Sequence, residues 1–208
     1  MAQSETIERI LDAAAALFSE RGFAETSLRT ITSTAGVNLA AVNYHFGSKK
    51  SLIQAVFARV LEPFCLELDR QLDELSARPE PLTTHLLVEC LSRSLLISLR
   101  DHGGKPEQFM RLLGLAYTQS QEHLRQFIIA NYAPVHKRFT GLLHETLPHV
   151  EPDVFYWRLY FMLGASIFTL ASFDSISAIL KKDFNKDSNV EETAELLVSA
   201  ISGMFAAE

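Results

Sequence analysis

Cysteine is scarce in this sequence, and its spacing suggests no metal site. Cys65 and Cys90 stand far apart, and two cysteines do not form the framework of a small disulfide-stabilised domain. A reduced environment with both thiols buried is therefore the expectation. The first 18 residues carry acids where a secretion signal needs basic residues, and they lack a continuous apolar stretch. The sequence thus predicts a cytoplasmic protein.

Motifs of catalysis are missing as well. There is no G-x-S-x-G motif and no glycine-rich loop of the kind that cradles phosphates. The segment "HETLPH" at 144–149 misses the zinc-protease spacing by one residue, and Pro148 would break the helix needed to align its histidines. We therefore expect no enzyme, no metal site and no cofactor.

Segments that alternate apolar and polar residues, as half-buried strands do, are also absent. Apolar residues recur instead at helical spacing, which predicts an all-α fold. Pro134 is expected to kink its helix or to begin a new one, and 181–189 is a polar loop. The predicted helices cover 5–21, 27–35, 38–46, 48–75, 82–100, 106–118, 120–147, 152–174 and 190–206.

Acidic residues are missing from one long stretch of an otherwise acidic chain. The net charge is −6, yet the 36 residues from Thr26 to Leu61 contain no Asp or Glu and four Lys or Arg. Phosphates repel carboxylates and attract these cations, so such a window suits a surface that meets nucleic acid. The overall acidity argues against a protein that coats nucleic acid over its whole surface.

Within this window, 27–35 and 38–46 are two short helices joined by Ala35-Gly36-Val37. A tight turn containing Gly between two short helices is typical of the helix-turn-helix, whose second helix enters the DNA major groove. Ser48 is a predicted N-cap, which places Lys49 and Lys50 in the first turn of the next helix. Cations there oppose the helix dipole by a few tenths to ~1 kcal/mol each, but they would reinforce an anion site around a DNA phosphate.

Residues 5–60 resemble the DNA-binding segment of TetR/AcrR-family transcriptional regulators. The resemblance rests on "ILDAAAALFSERGFAETS", "AGV" and "YHFGSK", and the length and helical remainder also suit the family. It implies an N-terminal three-helix helix-turn-helix domain (1–47) and a C-terminal helical ligand-binding and dimerisation domain (48–208), with 48–75 as the connecting stem. Two positions depart from the family pattern: Lys50-Ser51 replaces a commoner acidic pair, and Asn43 replaces a frequent Tyr.

The candidate DNA contacts follow from the predicted position of the recognition helix. Asn43 could pair with adenine, and the alanines could meet thymine methyl groups. For Tyr44 the alternative is packing against the stem, and His45 could equally be a structural hydrogen-bonding group; Arg29 could pair with Glu20 or Glu25 instead of DNA. The expected base-facing residues are Leu39, Ala40, Ala41, Asn43 and Tyr44, and the expected phosphate contacts are Thr26, Ser27, Tyr44, His45, Lys49 and Lys50.

Within the family, the whole chain resembles the PsrA-type repressors most, through "AGVNLAAVNYHFGSKK", "FMRLLGLAYTQSQEHLR" and "FMLGA". That resemblance implies control of fatty-acid degradation genes and release from DNA by a long-chain fatty acid or its acyl-CoA ester. Family regulators bind a palindromic operator as homodimers through their last two helices, here 152–174 and 190–206. The helix 106–118 is the expected lever, which would press on the stem at 48–61.

The C-terminal helices are rich in Leu, Phe, Ile and Met, which suits an apolar cavity for an acyl chain. The carboxylate of such a chain would pair with an arginine, and the candidates are Arg111 and Arg125. Tyr117 and His123 are the candidate hydrogen-bond donors. For each of these residues the alternative role is a surface ion pair or hydrogen bond. Residues 154–173 carry a single charge and could span a bilayer, but a buried helix is the preferred interpretation. A membrane-anchored protein and a helical enzyme remain the competing classes.

Overall fold

The computed structural model describes residues 2–119 and 121–206, and these form ten α-helices with no strand among them. The helices are α1 (Ala2–Glu25), α2 (Leu28–Ala35), α3 (Leu39–Phe46), α4 (Lys49–Ser76), α5 (Thr84–Asp101), α6 (Pro106–Thr118), α7 (Glu122–Glu145), α8 (Pro152–Ala171), α9 (Phe173–Phe184) and α10 (Val190–Ala206). The all-α prediction is confirmed. Residue 120, the predicted first residue of a helix, lies outside the described residues.

The structure corrects the bounds of one predicted loop and excludes one of the two alternatives for Pro134. The polar loop predicted at 181–189 begins later, because α9 occupies Phe173–Phe184 and only 185–189 lack regular structure. Pro134 does not begin a new helix, since α7 continues through it, as α4 continues through Pro63. In each case the helix is long enough on both sides of the proline to tolerate the loss of one backbone hydrogen bond.

The N-terminal core joins α1, α2, α3 and the first half of α4. Phe18, Phe23 and Phe57 lie in its centre, with ring centroids 5.4 Å apart for Phe18–Phe23 and 6.4 Å for Phe23–Phe57. The helical path of α1 is interrupted at Gly22, whose φ of 84° is the left-handed conformation that glycine adopts freely. This matches the predicted helix end at Arg21-Gly22. Residues of α5, α6 and α7 complete this core, which therefore extends beyond residue 47.

A second core lies between the C-terminal half of α4 and helices α5, α7, α8 and α10. Leu72, Leu87, Leu143 and Phe205 are fully buried there, and Phe155 packs on Phe205 with their ring centroids 6.3 Å apart. This cluster fixes the helical bundle in which an internal cavity forms.

Helix α8 is not the fully buried helix that its composition predicts. Of its residues only Phe155 and Leu170 are buried, and an aromatic face is exposed to solvent. Arg158, the single charge in the apolar run, donates from Nη1 to the Phe205 carbonyl at 2.6 Å and so fastens α8 to α10. The exposed side chains are Val154, Tyr156, Trp157, Tyr160, Phe161 and Phe168.

Helix α6 links the N-terminal core to α8. It packs on α1 with one side and on α8 with the other. The approach to α8 is close at Gly114, where a Cβ atom would meet Cγ2 of Ile167 at 3.0 Å. Arg111 adds a second tie, because its Nε donates to the Ala171 carbonyl at 2.9 Å.

Candidate DNA interface and effector cavity

The turn between α2 and α3 is fixed by its own residues. Ser27 caps α2 by accepting from the Thr30 N–H at 3.1 Å, and Asn38 caps α3 by accepting from the Ala41 N–H at 2.9 Å. Gly36 has a φ of 63°, and a Cβ atom there would meet the Arg9 guanidinium at 2.6 Å. That guanidinium donates to the Ala35 carbonyl at 2.5 Å and so holds the turn against α1.

Helix α3 presents a clear outer face. Leu39, Ala40 and Asn43 are exposed, and Tyr44 is 76% exposed, so it does not pack against α4. Val42 is buried and anchors the opposite side. Ala41 is only half-exposed and packs against the N-terminal core. The outer face therefore offers a carboxamide, a phenol and small apolar groups, the combination that reads base edges and methyl groups in the major groove.

His45 is half-buried between two aromatic rings. Its ring centroid lies 5.0 Å from that of Tyr44 and 6.3 Å from that of Phe46, and both contacts are edge-to-face. Its imidazole therefore has a packing role whether or not it also meets DNA.

Thr26 is a correction to the predicted phosphate contacts. Its side chain is only 1% exposed, and its hydroxyl donates to the carbonyls of Leu17 and Gly22, at 3.2 and 2.9 Å. A hydroxyl used this way closes the end of α1 and does not reach a phosphate. Ser27 next to it is exposed, although its hydroxyl already caps α2.

The lysines at the start of α4 take two different positions. Ser48 caps this helix as predicted, by accepting from the Ser51 N–H at 3.1 Å. Lys50 is exposed, whereas Lys49 is half-buried and its Nζ donates to the Ala24 carbonyl at 3.3 Å. Lys49 thus satisfies a carbonyl at the end of α1, which gives it a structural role besides any contact with DNA.

The remaining cations of the acid-free window also differ. Arg29 is exposed, and among the described residues it forms no ion pair with Glu20 or Glu25. Arg59 faces the body of the protein, where its Nη1 lies 2.6 Å from Asp12 and 3.3 Å from Glu8. The charge available to DNA is therefore smaller than the sequence window indicates.

An apolar cavity of about 240 Å³ lies between α4, α5, α6, α8 and α10. Among the described residues, its wall has no charged side chain, and the hydroxyls there are those of Ser92 and Ser166. Such a lining binds apolar matter and offers little to a charged group. The lining includes Phe64, Leu91, Leu95, Phe109, Met110, Leu113, Met162, Leu163, Leu197 and Ile201.

None of the four predicted effector contacts lines this cavity. Arg111 is turned toward the junction of α8 and α9, where it also lies 3.4 Å from Asp174, and Arg125 forms an ion pair with Glu122 in its own helix. Tyr117 is exposed. His123 lies at the start of α7 next to Lys50, where burial, followed by the lysine charge, holds its pKa below the usual 6.5. Both arginines therefore form surface ion pairs, the alternative role that the sequence leaves open for them.

The comparisons with known proteins agree with this arrangement. The family profile "Bacterial regulatory proteins, tetR family" matches residues 10–56, and "Tetracyclin repressor-like, C-terminal domain" matches residues 89–204. The chain belongs to the TetR family. It is a DNA-binding transcriptional regulator of the helix-turn-helix type.

Individual relatives are distant. SrpR of Pseudomonas putida is 30% identical over 70% of this chain and 61% of its own length, and TtgW of the same species is 32% identical over 52% and 72%. The chain thus spans less than two thirds of SrpR. A TetR-like regulator from Rhodococcus sp. RHA1 has a TM-score of 0.61 at 21% identity over 98% of this chain and 97% of its own. The fatty acid degradation regulator FadR of Bacillus halodurans has a TM-score of 0.58 at 18% identity over 96% and 94%. At such identities the two structures show the fold alone.

Family membership also bears on the exposed helix. By length and composition Pro152–Ala171 could cross a membrane, but one such helix is weak evidence. The matching family profiles and SrpR are those of transcriptional regulators, and they lend no support to a membrane anchor or an enzyme.

Proposed function

We propose that the protein is a cytoplasmic, homodimeric repressor of the PsrA type that controls fatty-acid metabolism genes. It binds a palindromic operator and leaves it when a long-chain fatty acid or acyl-CoA enters the apolar cavity. The observation that carries the proposal is the uncharged cavity itself, which adjoins the helix that reaches the DNA-binding domain.

Operator binding uses the outer face of α3 and the start of α4. Asn43, exposed on that face, makes the base contact, and Leu39, Ala40 and Tyr44 line the groove. Lys50 and the exposed Ser27 meet phosphates, and Lys49 and His45 add to them from half-buried positions. Ala41 contributes only its exposed edge.

Dimerisation uses the exposed apolar face of α8, together with α10. Trp157, Phe161 and Phe168 are each more than half exposed, and Leu196 extends the same kind of surface onto α10. A monomer rarely exposes so many large apolar side chains together, and a second copy of the chain covers them through a two-fold contact. Two recognition helices then lie about one DNA turn apart, roughly 34–36 Å.

The cavity selects an aliphatic chain by its chemistry. Each methylene that leaves water for such a lining contributes about 0.8 kcal/mol, so a long chain supplies enough free energy to shift a conformational equilibrium. It acts on DNA binding only by favouring the conformer with wrongly spaced recognition helices. Operator DNA must then weaken effector binding by the same factor.

Helix α6 conveys the change, as expected for 106–118. Phe109 lines the cavity and also contacts Phe57 of α4, with ring centroids 6.0 Å apart. At the end of α6, Oε1 of Gln119 accepts from the Phe23 N–H at 3.3 Å, beside the break in α1. A chain that displaces Phe109 therefore acts directly on the core of the DNA-binding domain.

The test is a titration of a labelled operator complex with acids of increasing chain length and with their CoA thioesters. We expect oleate or oleoyl-CoA to release the operator while short acids do not. Leu95→Trp fills the cavity and should raise the concentration needed, whereas Arg125→Gln, outside the cavity, should leave it unchanged. If neither oleate nor its thioester dissociates the complex, the effector is not an acyl compound.

A second candidate function is favoured by the absence of any arginine from the cavity wall. An uncharged lining accepts other hydrophobic molecules as readily, and a TetR-type regulator with such an effector would serve efflux or stress control. Release by an aromatic solvent at concentrations where oleate has no effect would favour this candidate.

A further inference from the structure

The apolar cavity adjoins a second, polar space. A cleft of about 710 Å³ lies between α5 and the first half of α10, and it shares Ser92, Leu96, Ala194 and Val198 with the cavity wall. These four side chains are all that both spaces have in common. Two of them, Ser92 and Ala194, are small, so the seam between α5 and α10 is where the two spaces lie side by side.

The sizes of the two spaces suggest how they divide a ligand. Ligand sites commonly enclose about 300–1,000 Å³, so the cavity of about 240 Å³ is small for a whole long-chain amphiphile. The cavity can take the chain but has nothing to pair with a charged head. The adjoining cleft is roomy and lined by ionic groups.

The two walls of the cleft carry opposite charge. The α5 wall presents His85, Arg93 and Arg100, with Glu89 paired to Arg93, and the α10 wall presents Glu191 and Glu195. Arg93 directly follows the seam residue Ser92, and its side chain is solvent-accessible. A guanidinium has five N–H donors, and the pair with Glu89 leaves donors for a further anion.

The cleft also lies away from the apolar face assigned to dimerisation. Ala194 and Val198 are buried toward α5, whereas Leu196 is exposed on another side of α10. A second copy that covers Leu196 therefore does not have to cover the cleft.

We propose that this cleft is the head-group subsite for the acyl effector: the chain lies in the apolar cavity, and its anionic head passes the α5–α10 seam to bind Arg93. The assignment rests on the proposed function. The anion is a free carboxylate or the phosphates of a CoA thioester, and Arg100, two helical turns further along α5, contacts only the longer thioester head.

The experiment measures the Kd of oleate, oleoyl-CoA and dodecyltrimethylammonium for the operator-free protein by titration calorimetry, alongside operator release. Arg93→Gln should raise the Kd of both acyl ligands about tenfold, which corresponds to about 1.4 kcal/mol, because the solvent-accessible guanidinium loses a charge-assisted hydrogen bond to the head. Glu195→Gln should lower it a few-fold, because a like charge is removed. Arg100→Gln should affect only the thioester, and Arg125→Gln neither.

Each remaining outcome overturns a distinct claim. If oleate binds and releases the operator but the Arg93 and Glu195 variants match the wild type, the head lies elsewhere and the proposed function survives. If the cation binds more tightly than oleate, with the signs of both substitutions reversed, the cleft is a cation site. If no acyl ligand binds the wild-type protein, the subsite and the acyl effector both fall.

Discussion

The core around α1 and the face of α8 use the same kinds of side chain but end in opposite states. Phe18 and Phe23 are buried to within 1% of complete, whereas Trp157 and Phe168 remain 62% and 68% exposed. The first group is enclosed by other parts of the chain, whereas the second remains largely in contact with solvent. Aromatic content alone therefore does not indicate whether the side chains of a segment are buried by their own chain or left for another molecule to cover.

The largest effect is expected from substitutions on the exposed aromatic face of α8. Trp157 and Phe161 stack with ring centroids 6.0 Å apart. Trp157→Glu combined with Phe161→Glu should remove roughly 3–6 kcal/mol from dimerisation, at about 1.5–3 kcal/mol for each large apolar side chain. Sedimentation at micromolar concentration should then report a folded monomer with weakened operator binding.

Leu66→Glu, which alters an exposed apolar residue on α4, is the matched control and should remain dimeric. An unchanged sedimentation profile of the double variant would mean that the α8 face is not where two copies meet.

The burial of the aromatic residues in the N-terminal core can be tested by truncating one of them. Phe18→Ala should lower the free energy of unfolding by about 3–5 kcal/mol, because it leaves a cavity in a closed core. Tyr44→Ala, in the same domain but exposed, should change it by no more than about 0.5 kcal/mol. Urea denaturation followed by circular dichroism measures both, and similar losses would show that Tyr44 is packed in solution.

The exposed surface of α3 can be tested through its predicted base-specific contact, Asn43. Asn43→Ala should relax preference at one base pair in each half-site at a cost of roughly 1–3 kcal/mol there. Binding to random duplex should hardly change. Equal losses on operator and random DNA would instead make Asn43 a contact to the backbone.

The smallest expected effect concerns the lysines. Lys50→Ala should reduce the slope of log affinity against log salt by about 0.9 if it meets one phosphate, equally on every sequence. Lys49→Ala should add a smaller change and a slight loss of stability, because it also removes the bond to the Ala24 carbonyl. A slope that the Lys50 variant does not alter would exclude the phosphate contact.

The sequence allowed the helix-turn-helix to be predicted almost residue by residue, because caps and turns are local. Ser27, Gly36, Asn38 and Ser48 act where their residue types indicate. Thr26 shows the limit: the sequence predicts that it meets a phosphate, but its hydroxyl donates to the carbonyls of Leu17, nine residues away, and Gly22. Which oxygen a hydroxyl meets depends on the tertiary path at Gly22.

The effector contacts could not be predicted in the same way. Helical spacing shows which residues share a face, but it does not show which neighbour that face meets. Arg111 shares a helix with the cavity residues Phe109 and Met110, yet its guanidinium meets α8 and α9 on another side. Helix α9 itself was missed because Ser and Asp interrupt its short apolar pattern.

The close approach of Gly114 to Ile167 has a consequence for how a promoter would respond. With Arg111 tied to the Ala171 carbonyl as well, a shift of α6 should move α8, the helix proposed to contact the second copy. Under the proposed assembly, the first effector to bind therefore alters the empty subunit too. Induction should then be cooperative, with a Hill coefficient above one, so that gene expression changes over a narrow range of effector concentration.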